Sequence, residues 1–142
     1  MALALANKLE VKPPVKKQGA LPIYSVTPFT MLDFPGQTAC IVWFSGCNMR
    51  CPYCHNPELV LSSRPSSSGN KEKEFIKFLK TRRNKLDGVC ITGGEPTIQK
   101  DIVDFIKKLK KMGFLVKLDT NGTRPDVLRK LIKEKLVDFI AM

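Results

Sequence analysis

Gly88-Val89-Cys90-Ile91-Thr92-Gly93-Gly94-Glu95-Pro96 runs from a short apolar, β-branched stretch into a turn that neither a strand nor a helix would continue through. The stretch predicts a strand over residues 88–92. Beyond the turn, Ile102, Ile106 and Leu109 fall on one stripe of a helix predicted over 98–112, with Gly113 as its stop. Residues 114–118 are apolar again and predict a second strand. Pro125 then opens another helix, expected to bury Leu128, Leu131 and Ile132, and residues 137–141 begin a further strand. Strands that alternate with helices imply right-handed crossovers and a parallel sheet, so the fold class is α/β.

Working outward toward the N-terminus, residues 21–30 and 38–44 carry β-branched and aromatic side chains on either side of an Asp33-Phe34-Pro35-Gly36 turn, which predicts two more strands. Residues 62–70, rich in serine, read as a linker. The helix after it is expected to place Phe75, Ile76, Phe78 and Leu79 on one side. Residues 1–20, with Pro13, Pro14 and four lysines, read as a basic flexible arm, which leaves 21–142 as the single core domain.

The second of those early strands leads into Gly46-Cys47-Asn48-Met49-Arg50-Cys51-Pro52-Tyr53-Cys54-His55. A loop with three thiols at this spacing can turn them toward one metal centre, and three ligands are one fewer than a closed zinc site or a fully ligated four-iron cluster needs. The open position is where a small molecule could bind and react. A structural zinc site would need a fourth ligand, and His55, directly after Cys54, is poorly placed to supply it. A disulfide framework fits an odd total of five cysteines badly. Cys40 and Cys90 lie in apolar stretches and read as small buried hydrophobes.

The formal net charge of +11 over 142 residues raises nucleic acid as a partner. The excess sits in 1–20, 71–85, 99–112 and 124–135, where Lys and Arg alternate with apolar residues and would form solvated outer helix faces. Charge so arranged favours acidic protein partners over nucleic acid. The opening Met-Ala-Leu-Ala-Leu-Ala is too short for a signal peptide and no apolar run reaches membrane-spanning length, so a cytoplasmic protein is expected.

In parallel α/β folds the chemistry collects at the C-terminal ends of the strands. Three turns fall there: the cysteine loop, Gly93-Gly94-Glu95-Pro96, and Asp119-Thr120-Asn121-Gly122. The glycine pair would let backbone approach a ligand closely, Glu95 could accept from an ammonium group, and Asp119 and Asn121 could bind ribose hydroxyls or a charged amino-acid portion. Each turn alone is an ordinary turn sequence. Together, at successive strand ends, they read as one site.

The Cys47-x-x-x-Cys51-x-x-Cys54 spacing, with Tyr53 before the last cysteine and Gly93-Gly94-Glu95-Pro96 downstream, resembles the radical S-adenosylmethionine enzymes. Thr27-Pro28-Phe29, Asp33-Phe34-Pro35-Gly36 and the run Gly46 to Leu59 resemble in particular the activating enzymes of glycyl-radical proteins, such as those of anaerobic ribonucleotide reductase and pyruvate formate-lyase. The resemblance implies a partial (β/α) barrel with about four of its parallel strands present. It implies that Cys47, Cys51 and Cys54 hold a 4Fe-4S cluster whose fourth iron takes the amino and carboxylate groups of S-adenosylmethionine. Gly93, Gly94, Glu95 and Pro96 would form the turn that receives the amino group, Tyr53 would lie near the adenine, and Asp119 and Asn121 would make polar contacts. His55 would tune the cluster from outside its ligand set.

The implied reaction is reductive cleavage of S-adenosylmethionine and abstraction of a hydrogen atom from a glycine of a partner enzyme. An acidic flavodoxin or ferredoxin would donate the electron. A radical enzyme acting on a small molecule, such as a modified-base synthase, and a non-enzymatic metal module are the alternatives. The chain stops at Met142 within an expected strand, and the family's barrel would continue for two further strand and helix units, so a fragment is expected.

Overall fold

In the computed structural model, which describes residues 21–61 and 71–142, the alternation read from the sequence is realised as five strands and four helices. In chain order they are β1 (Ile23–Thr30), β2 (Ala39–Phe44), α1 (Pro57–Leu61), α2 (Lys71–Lys80), β3 (Gly88–Gly93), α3 (Ile102–Lys111), β4 (Leu115–Asp119), α4 (Pro125–Lys133) and β5 (Phe139–Ala141). The strands form one sheet in the order β1-β2-β3-β4-β5. Strand β1 pairs antiparallel with β2, while β2 through β5 are parallel neighbours, which is the four-stranded parallel segment expected of a partial barrel. The expected arm at 1–20 and linker at 62–70 lie outside the described residues.

Alternation along each strand separates two faces. Val42, Phe44, Val89, Ile91, Val116 and Leu118 point to the helices and join Phe75, Leu79, Phe105, Ile106, Leu109 and Leu131 in the main core. On the opposite, concave face Phe34, Ala39, Ile41 and Cys90 make a smaller cluster, with Trp43 and Leu115 against it. Phe34, from the turn after β1, is tucked under the N-terminal ends of the parallel strands. Its ring is so close to Gly88 that a Cβ there would meet it at 2.8 Å, and it lies 6.4 Å from the ring of Phe139.

Three local expectations shift. The helix predicted from 98 starts at Ile102, because Pro96–Ile98 forms a separate 3-10 turn capped by the Glu95 side chain, which accepts from Thr97 N. It stops where Gly113 adopts φ +91°, a conformation glycine takes without strain. In α4, Leu131 is buried as expected and Leu128 packs at the core's edge. Ile132, expected to be buried, is 57% exposed, because the helix turns its stripe through Val127, Leu128 and Leu131 instead. Helix α1 was not foreseen, being a single short turn of Pro57–Leu61. No helix among the described residues is long and apolar enough to cross a membrane.

Candidate functional site

The C-terminal ends of β2, β3 and β4 bring the three turns into direct contact. After Phe44 the chain leaves β2, and Gly46 N donates to Leu59 O at 2.7 Å, so α1 closes the neck of the cysteine loop, with Leu59 buried beneath it. From the other side Gly94 N donates to Phe44 O at 2.9 Å and Glu95 N to Gly46 O at 2.8 Å. Gln99 Nε2 adds a bond to Ser45 O at 3.1 Å.

This contact explains the glycine pair. A Cβ on Gly94 would meet Gly46 O at 2.1 Å, and one on Gly93, where φ is +125°, would meet Phe44 O at 2.2 Å. The close approach read from the sequence is therefore made first of all to the chain's own cysteine loop. No side chain fits between the two turns.

Glu95 is fully buried, and its carboxylate gathers four donors. Oε1 accepts from Thr97 N at 2.9 Å, Thr97 Oγ1 at 2.5 Å and Thr120 Oγ1 at 2.8 Å, and Oε2 accepts from Asn121 N at 2.7 Å. A carboxylate removed from water is tolerable only when so satisfied. Its effect is to tie the turn after β3 to the turn after β4. Thr97 and Thr120 escaped the sequence reading, since threonine in a turn carries no distinctive signal.

Cys47, Cys51 and Cys54 are all free thiols of intermediate exposure on this loop, while Cys40 and Cys90 are fully buried on opposite faces of the sheet. Burial pushes both of the latter thiols up to about 12. Among the described residues no three His, Cys, Asp or Glu side chains stand grouped to hold a metal ion, so the three loop thiols share one segment without converging in this conformation. The donor set nevertheless suits an iron-sulfur cluster: it is sulfur-only, partly exposed, and already supplied with hydrogen bonds to one of the sulfurs. Met49 N lies 3.4 Å and Asn121 Nδ2 3.9 Å from Cys47 Sγ. Arg50 Nη1 braces the loop by donating to Cys47 O and Met49 O, both at 2.8 Å. Tyr53 is 79% exposed on the outside of the loop, and His55 is exposed as well.

Asp119 ends β4 and is held by Lys117, whose Nζ donates to Oδ1 at 2.5 Å. Lys117 is buried on the concave face, in register with Cys90 on one side and Phe139 on the other. The sequence reading passed over it, because one lysine in a strand gives no pattern. Asn121 directs its side chain at the cysteine loop, donating to Asn48 Oδ1 at 2.9 Å. The structure thus brings Gly93, Gly94, Glu95, Pro96, Asp119 and Asn121 to the same strand ends as the cysteine loop.

The family model described as the radical SAM superfamily matches residues 41–142. A Methanocaldococcus jannaschii protein named as a glycyl-radical enzyme activating enzyme is 37% identical over 121 residues, covering 84% of this chain and 48% of its own length. The pyruvate formate-lyase-activating enzyme of Clostridium pasteurianum is 30% identical over 103 residues, covering 70% and 43%. The 7-carboxy-7-deazaguanine synthase of Methanopyrus kandleri is 32% identical over 126 residues, covering 76% and 49%. The chain thus spans about half the length of these relatives. The crystal structure of QueE from Escherichia coli superimposes with a TM-score of 0.55 at 22% identity, over 72% of this chain and 53% of that one, a likeness of fold.

Proposed function

The chain belongs to the radical SAM superfamily, whose members use a 4Fe-4S cluster and S-adenosylmethionine, and on that premise we propose that it is part of an activating enzyme that generates a glycyl radical on a partner protein. The observation that carries the reading is the seating of the three-cysteine loop on the Gly93-Gly94 turn, closed to less than a side chain's width. The choice of substrate is supported by the 37% identity to a relative named for that activity.

Cys47, Cys51 and Cys54 would hold the cluster, drawn together by it from their places on one loop. When bound, the cluster, given one electron by a donor protein, and S-adenosylmethionine, cleaved with release of methionine, would supply the chemistry that removes a hydrogen atom from a glycine α-carbon. The protein's own part is positional. Gly94 and Glu95 fix the height of the cysteine loop above the strand ends, and the turn they form would receive the amino group of S-adenosylmethionine. Tyr53 would fold inward over the adenine. Asp119, with Oδ1 held by Lys117, would be oriented toward ribose hydroxyls. An acidic electron-donor protein would suit the basic helix faces.

A second reading, hydrogen abstraction from a small molecule, is favoured by the 32% identity to a deazaguanine synthase. Electron paramagnetic resonance of the anaerobically reconstituted, reduced chain with and without S-adenosylmethionine tests the shared chemistry. A cluster signal that changes on addition is expected. A glycyl-radical doublet on an added partner enzyme would then support activation, whereas 5'-deoxyadenosine formed only with an added small-molecule substrate would replace it with the second reading.

A further inference from the structure

We infer that Asn121, acting with Asn48, positions Cys47 and sets the potential of the cluster, and is not a contact for S-adenosylmethionine. The inference rests on the cluster reading above. The side chain of Asn121 is spent within the chain. Its Oδ1 accepts from Thr123 N at 3.1 Å and Thr123 Oγ1 at 2.7 Å, and its Nδ2 donates to Asn48 Oδ1 at 2.9 Å with Cys47 Sγ 3.9 Å away. Asn48 Nδ2 in turn donates to Thr123 Oγ1 at 2.8 Å. Asn48, Thr123 and Asn121 therefore form a closed ring of three side chains, in which each donates to the next.

The ring joins two turns that are distant in sequence, and its base is fixed by the bond from Asn121 N to buried Glu95. Among the described residues the hydrogen bonds to sulfur fall on Cys47, from Asn121 Nδ2 and Met49 N. A donor facing a cluster thiolate stabilises the added negative charge of the reduced state, so it raises the reduction potential. A carboxamide used in this way has no hydrogen-bonding capacity left for a ribose or a methionyl group.

The test is a redox titration of the reconstituted cluster, followed by its paramagnetic signal, with S-adenosylmethionine binding measured separately by calorimetry. Asn121→Ala and Asn48→Ala are each expected to move the midpoint to a more negative potential while the affinity for S-adenosylmethionine stays within about twofold of the parent. Asn48 is exposed, so its removal leaves the core intact and covers the case in which Asn121→Ala fails to fold. An unchanged midpoint in Asn48→Ala and in any folded Asn121→Ala would overturn the inference. So would a loss of about tenfold in affinity at an unchanged midpoint, which would make Asn121 a ligand contact. Failure of the parent chain to assemble any cluster is seen before a variant is made and overturns the cluster reading, and this inference with it.

Discussion

The buried carboxylate of Glu95 accepts the backbone N–H of Asn121 at 2.7 Å, and through that bond the turn after β3 fixes the turn after β4. Glu95 N, meanwhile, donates to Gly46 O at 2.8 Å, so the same residue also holds the neck of the cysteine loop. Three strand ends are registered by one side chain and its own backbone.

Glu95→Gln keeps the shape but replaces one acceptor oxygen with a donor that faces other donors. Leaving buried polar groups unsatisfied costs about 1–3 kcal/mol each, so a loss of about 2 kcal/mol in unfolding free energy is expected. Denaturant melting of the chain checks it. Parent-like stability would mean that the carboxylate is not what ties the turns.

Two glycines separate contact from conformation. Gly94→Ala would drive a methyl into Gly46 O, so the cysteine loop must lift and iron uptake on reconstitution should fall sharply. Gly36, at φ +72° with nothing within 4 Å of the added carbon, should lose only about 1–2 kcal/mol as alanine, the cost of a left-handed backbone. Its iron uptake should match the parent, and equal iron content in the two variants would contradict the packing account.

Alkylation of the native, metal-free chain at pH 8 should label Cys47, Cys51 and Cys54 and spare Cys40 and Cys90. The latter two are fully buried, with thiols held at about 12, so they stay protonated. All five should react in denaturant, as read by mass spectrometry.

The same two thiols give the fold an alkaline limit. A thiol whose folded pKa is raised contributes fully below its unfolded value, near 9.0, and that contribution is lost as the pH climbs toward about 12. Thermal melts should therefore show stability declining above pH 9, and the Cys40→Ala, Cys90→Ala double variant should decline less steeply. Parallel slopes would remove these thiols from the explanation.

Lys117→Met keeps most of the side-chain volume and removes the charge that holds Asp119. If Asp119 orients ribose hydroxyls, affinity for S-adenosylmethionine should weaken by about tenfold with the cluster signal unchanged. Calorimetry on the reconstituted protein measures it, and an unaltered affinity would take Lys117 out of the site.

Much of this fold was legible because its signals repeat. Ile102, Ile106 and Leu109 mark a helix stripe by spacing alone, and Gly113 marks its end. Ile132 misled because it lies beside the stripe of α4, where one position of rotation decides between core and solvent. The nearness of the three turns to one another was legible because glycines, carboxylates and cysteines are conspicuous at strand ends. Thr120, Asn48, Thr123 and Lys117 were not, because their roles depend on partners 20 or more residues away or on a face that only the assembled sheet defines, and Thr97 was not, because a threonine in a turn carries no distinctive signal. The glycine pair was recognised, but its first neighbour, the backbone of Gly46, emerges only when β2 and β3 lie side by side.

Phe34 gives the concave face a direction. Wedged beneath Gly88 and beside Phe139, it stoppers the strands at their starting ends, with Ala39, Ile41 and Cys90 as an apolar floor above it. The two ends of this face are therefore unlike: an aromatic ring packs across the starting ends of the strands, and the polar groups of the three turns gather at the other.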